Sequence, residues 1–158
     1  MSDMKINRGS MYDTFGDKHK LFIDSIQSYV DETHNDYKKA IAGETSPMKA
    51  IQKIIHRAIK RSFEKGKVCM VVKSSFEMAP LDGDIKKLLK GSTDALTGIF
   101  EDLLLKAQEE GEFNENRDAK EAARFIVASF AGFWQMQSLY DNRKMIDQLA
   151  NGLMTYLR

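Results

Sequence analysis

The chain has 158 residues, 42% of them hydrophobic and 30% charged, with a formal net charge of +1. That length supports one domain with a sizeable core, and the near-neutral balance excludes a generally basic nucleic-acid glove or an acidic tail. One cysteine, Cys69, excludes an internal disulfide, and no apolar run reaches transmembrane length.

The opening residues MSDMKINRGS also lack the apolar centre of a secretory signal. The expected setting is therefore soluble and cytoplasmic, with no membrane contact. Two prolines and ten glycines are too few turn residues for a strand-rich chain. The expected fold is all-α, a bundle of about six helices.

Residues 18–42 place Leu21, Phe22, Ile26, Tyr29, Val30, Thr33 and Tyr37 on one helical face. Asp17 reads as its N-cap and Gly43 as its stop. Ser46-Pro47 is an N-cap followed by a first-turn proline. The helix it opens carries Met48, Ile51, Ile54, Ile55, Ala58, Ile59 and Phe63, to about Lys65. Its opposite face is basic, with Lys53, Arg57, Lys60 and Arg61, followed by Lys65 and Lys67. That face reads as a solvated helix surface rather than an anion-binding one.

The stretch 68–79, VCMVVKSSFEMA, is rich in β-branched residues. With no second strand candidate to pair with, it reads as a short buried helix ending at Pro80. Ile85, Leu88, Leu89, Leu96, Ile99, Phe100, Leu103, Leu104 and Ala107 then predict a long helix over about 84–110, closed by Gly111. Asp118 with Glu121 is a capping-box-like start for a helix running to about Tyr140. A last helix spans about Asn142 to Leu157.

The helix at 119–140 carries two apolar stripes. Ala122, Ile126, Phe130, Phe133 and Trp134 form one, and Phe125, Ala128, Gly132 and Met136 form the other. Such a helix needs cover on two sides: either both stripes belong to one large internal core, or a partner chain covers the second, since a chain this short rarely surrounds a helix completely. With Met145, Ile146, Leu149, Leu153 and Tyr156 of the last helix, the second stripe predicts a four-helix interface between two copies.

Motifs for chemistry are missing. The chain has no GxGxxG, phosphate-binding loop, HExxH or CxxC. GSTDALTG at 91–98 lies inside a helical pattern without the required lysine. Asp31, Glu32 and His34 are expected to face solvent, and Cys69 to be a packing residue. No catalytic role, metal or cofactor is expected. Lys73 and Glu77 read as an exposed pair, or as polar groups orienting a ligand in an apolar pocket. Aromatic and methionine residues in mid-chain could surround an internal cavity for a flat or greasy molecule.

One stretch carries more. In NRGSMYDTFGDKHKLF at 7–22, a Ser10-Met11-Tyr12 segment is followed by Phe15, then Gly16-Asp17-Lys18, then the apolar pair Leu21-Phe22. This resembles the end of the helix-turn-helix domain in the tetracycline-repressor-like (TetR) family of transcriptional regulators. CMVVKSSFEMAPLDGDIKKLL, with the long helix ending in AQEEGEF, is similar to the middle of that family's ligand-binding domain.

The resemblance implies that residues 1–16 are the remnant of a DNA-reading head and residues 17–158 an effector-binding and dimerisation domain. Arg8, Ser10, Tyr12 and Lys18 would be its DNA-contacting positions. Such a head needs three helices, and only six residues precede Asn7 here. The expectation is a chain frayed up to about residue 14, or repacked there against something non-native, that does not bind an operator, DNA being a partner only of a full-length form. A small apolar effector would enter a cavity lined by Phe63, Met70, Lys73, Phe76, Phe100 and Trp134. The homodimer would use Phe125, Ala128, Gly132, Met136, Ile146, Leu149 and Leu153. The alternative is a headless interaction protein without a ligand, silencing a full-length relative by forming mixed dimers.

Overall fold

The computed structural model of the chain describes residues 8–64 and 70–158, with side chains from residue 16 onward. All regular structure among the described residues is helical: α1 (Arg8–Ile41), α2 (Pro47–Glu64), α3 (Met70–Glu77), α4 (Gly83–Glu109), α5 (Ala119–Tyr140) and α6 (Arg143–Leu157). Residues 1–7, Cys69, Lys65, Lys67 and the side chains of Arg8, Ser10 and Tyr12 lie outside the description.

Local chemistry sets most helix ends. Ser46 Oγ accepts from Lys49 N at 3.2 Å at the start of α2. Asp118 Oδ1 accepts from Glu121 N at 2.9 Å, and Asn142 Oδ1 from Met145 N at 3.1 Å, opening α5 and α6. Asp82 Oδ1 caps α4 by accepting from Asp84 N and Ile85 N at 3.0 and 3.1 Å. Gly111, at φ 75°, takes the left-handed conformation that ends α4.

The expected start of the first helix is corrected. α1 runs unbroken through Gly16, Asp17 and Lys18, so Asp17 is no cap and residues 8–14 are helical rather than frayed. Gly16 stays out of the left-handed region. A glycine and an aspartate in a helix interior cost only about 1 kcal/mol each relative to alanine, and the hydrogen-bond ladder continues across them.

The main core lies where α2, α4, α5 and α6 meet. Ile51, Ile54, Ile55, Phe100, Leu104, Ile126, Ile146 and Leu157 are almost fully buried there. Phe100 meets Phe130 edge-on at 5.9 Å, and Phe130 meets Trp134 edge-on at 5.5 Å. Full burial of a side chain like Phe100 contributes about 2–3 kcal/mol. A smaller cluster of Ile26, Val30, Ile85 and Leu89 joins α1 to the first turns of α4, with Met70, Val71 and Met78 against it.

The two stripes of α5 separate. Ala122, Ile126, Phe130 and Trp134 face the core, whereas Phe125, Ala128 and Gly132 are exposed. On α6 the expected dimer set is split. Ile146 and Leu153, at 1% and 5% exposure, belong to the chain's own core, which leaves Leu149 and Tyr156 on the outer side. The spacing that puts Ile146, Leu149 and Leu153 on one broad face does not say which edge of it the core covers.

Candidate functional site

Four helices enclose a cleft of about 670 Å³. Tyr29, Thr33, His34 and Tyr37 line it from α1, and Val71, Val72, Ser75 and Phe76 from α3. α4 contributes a polar stripe, Lys90, Asp94, Thr97 and Glu101, at helical steps of three and four. α5 contributes Lys120, Arg124, Val127, Ala131 and Trp134 at the same steps. Its floor is apolar and its mouth charged and solvent-exposed, the usual layout of a small-molecule site.

The α1 wall is held from behind by a polar network on α2. Arg61 is 8% exposed. Its Nη1 donates to Asp36 Oδ2 at 3.2 Å, and its Nη2 to Thr33 Oγ1 at 3.2 Å. Its guanidinium carbon lies 5.9 Å from the Tyr29 ring centroid. Arg57 Nε also donates to Asp36 Oδ2, at 2.7 Å. These bonds, Arg57 first, hold the Asp36 carboxyl below its ordinary pKa of 3.8 and raise that of Arg57. Burial pushes His34 below 6.5, helped by Lys38 and opposed by Asp31, so its imidazole is neutral at pH 7.

The basic face expected on α2 is largely paired within the chain, with Arg61 buried and Lys53 and Lys60 about half-exposed. Lys53 pairs with Glu44 at 2.7 Å, Lys60 with Glu64 at 3.6 Å, and Arg57 and Arg61 with Asp36. His34, expected in solvent beside Asp31 and Glu32, is half-buried in the cleft. At the other end of α1, His19 Nε2 donates to Asp82 Oδ2 at 2.7 Å. Asp84 completes a convergent trio, but Asp82 already caps α4 with its second oxygen, so the contact is a tether between α1 and α4.

Of the residues expected around a ligand, Phe76 and Trp134 line the cleft. Phe100 does not: it is fully buried beneath the cleft wall against Phe130. Phe63 sits on the opposite side of α2, under the Arg143 guanidinium at 5.2 Å. Met70 packs on the small cluster behind α3. Lys73 is exposed beside a second groove, on the far side of Phe76 and Trp134. Lys18 is exposed on α1. Sequence reasoning missed Tyr29 and Thr33, whose stripe reads as ordinary core, His34, which reads as solvent-facing, and Lys120 and Arg124. The available signal for the last two was their position one turn apart, in line with Val127 and Ala131.

Among the described residues, no helix is long and apolar enough to cross a membrane. Residues 47–153, which span α2 to α5 and most of α6, match the family described as "Tetracyclin repressor-like, C-terminal domain". Over 132 residues the chain is 29% identical to an uncharacterized HTH-type transcriptional regulator, YezE, of Bacillus subtilis (strain 168). That alignment covers 82% of this chain and 68% of the relative. The all-α bundle, with α2 to α6 in the matched region, thus has its counterpart in a family of regulators, and the chain belongs to the tetracycline-repressor-like C-terminal domain family.

Proposed function

We propose that this chain is the effector-sensing and dimerising part of a transcriptional regulator. One observation carries the reading: the 670 Å³ cleft uses α1 as a wall. By the family resemblance, α1 leads from the sensing domain to a DNA-reading head formed in part by residues 1–16. A molecule in the cleft touches Tyr29, Thr33 and Tyr37, and Thr33 shares Arg61 with Asp36. Filling the cleft thus favours one seating of α1 on α2 over another, which is a population shift set by differential affinity. Where two DNA-reading heads are present, that shift would change their spacing on DNA, with Arg8, Ser10, Tyr12 and Lys18 on the DNA side.

The dimer face in this reading is the outer side of α5 and α6. Phe125 and Leu149 are 47% and 38% exposed there, with Ala128 and Gly132 exposed along α5, whereas Met136 of the expected set is partly buried against the chain's own core. Phe125 stacks on Tyr156, half-exposed itself, at 4.5 Å. Large apolar side chains gathered on two adjacent helices are the usual mark of a protein contact. Sedimentation velocity tests this. The wild type is expected to run as a dimer at micromolar concentration, and Phe125→Asp with Leu149→Asp as a folded monomer. A monomeric wild type, or a dimer untouched by both substitutions, refutes this face.

A further inference from the structure

The charges lining the cleft are unequally matched. Lys90 Nζ reaches Asp94 Oδ2 at 3.1 Å, one turn along the same helix, and that pair is self-contained. Lys120 and Arg124 have no carboxylate partner among the described residues. Glu101, on α4, is the remaining acidic group of the lining, so two unmatched cations face one unmatched carboxylate.

The two cations also have a definite place. They stand one turn apart at one end of the α5 stripe, and Val127, Ala128, Ala131 and Trp134 continue it. From Arg124 to Trp134 is ten residues, about 15 Å along the axis, the length of a medium acyl chain. Trp134 and Phe76 close the far end, and Val71 and Val72 of α3 stand along the opposite wall. The α5 wall of the cleft is thus cationic at one end and apolar along the rest, while α4 lines the cleft with Lys90, Asp94, Thr97 and Glu101.

We infer that the cleft takes an amphipathic carboxylate, its head between Lys120 and Arg124 and its apolar body along Val127 and Ala131 toward Trp134. This rests on the sensing role proposed for the cleft and adds the chemistry of its ligand. A carboxylate between an ammonium and a guanidinium makes charge-assisted hydrogen bonds that an alcohol of equal length does not. A cationic head would meet two like charges. The apolar body gives the greater part of the affinity by leaving water, and the cations supply the selection among head groups.

Trp134 is the only tryptophan of the chain and lines the cleft, so its fluorescence reports occupancy directly. The experiment titrates the protein with decanoate, 1-decanol and decyltrimethylammonium, each below its micelle concentration. Decanoate is expected to bind roughly tenfold more tightly than the alcohol, and the cation weakest, with the preference fading as salt is raised. Lys120→Gln with Arg124→Gln is expected to erase the preference and leave decanol binding unchanged. Both side chains are exposed and glutamine keeps helix propensity, so the variant folds. Equal binding of decanol and decanoate, or a double variant that keeps the preference, overturns the inference and leaves the sensing role standing. No saturable change with any of the three overturns both.

Discussion

The two halves of α4 live in different surroundings. Its C-terminal half sends Phe100, Leu104 and Ala107, all fully buried, into the core shared with α2, α5 and α6. Its N-terminal half buries only Ile85 and Leu89, against α1 and α3. On α3 itself the single buried residue is Ser74, and Phe76 is 73% exposed. The cleft lies along the seam between these regions. A thickly packed wall fixes geometry, whereas a thinly packed one opens at low free-energy cost. The molecule therefore has a rigid side, the C-terminal half of α4 with α5, and a compliant side, α3.

The largest effect should come from the rigid side. Phe100→Ala removes a ring that touches Phe130 and leaves a void the surrounding helices cannot close, at about 3–5 kcal/mol. Urea or thermal unfolding measures it, and a cost near 1 kcal/mol would mean the C-terminal half of α4 is no better packed than the N-terminal half.

A middle-sized effect is expected where α1 rests on α2. Asp36→Ala takes the nearer carboxylate from buried Arg61, leaving it Thr33 and, at 3.8 Å, Glu32, and should cost about 2–3 kcal/mol. Because Arg57 and Arg61 depress the folded-state pKa of Asp36, its contribution is present above the unfolded value of 3.8. It is lost as pH falls through the lower folded value. Stability measured downward from pH 5 should therefore fall more gently in the variant than in the wild type. Parallel curves would show that the Asp36 pairing contributes nothing.

The smallest effect belongs to the compliant side. Phe76→Ala should change stability by no more than about 0.5 kcal/mol, as exposed positions do. Hydrogen exchange sharpens the point: the α3 amides should exchange well before those of α5. Equal protection in α3 and α5 would erase the distinction between the two walls.

Much of the fold was open to reading in the residues themselves. Ser46-Pro47, Asp118 and Asn142 act within four residues of where they stand, so their caps follow from local chemistry. The site was less legible. Phe63, Met70 and Phe100 are aromatic or greasy like true cleft residues, yet each is engaged elsewhere, by Arg143, by the small cluster or by Phe130. Side-chain type does not separate a packing aromatic from a lining one. Thr33 and His34 became cleft residues only because α3 and α5 stand opposite them.

The sequence by itself determined the helical class, about six helices, most of their ends and the resemblance at 7–22, because periodicity, caps and motif spacing are properties of neighbours in the chain. It did not determine that α1 passes straight through Gly16-Asp17. Nor did it determine that Ile146 and Leu153 turn inward while Leu149 turns out, or that the basic residues of α2 are absorbed by Asp36, Glu44 and Glu64. Those outcomes depend on which helix faces which. A helix with a broad apolar arc fixes only that the arc must be covered, and tertiary packing alone decides what covers each edge of it.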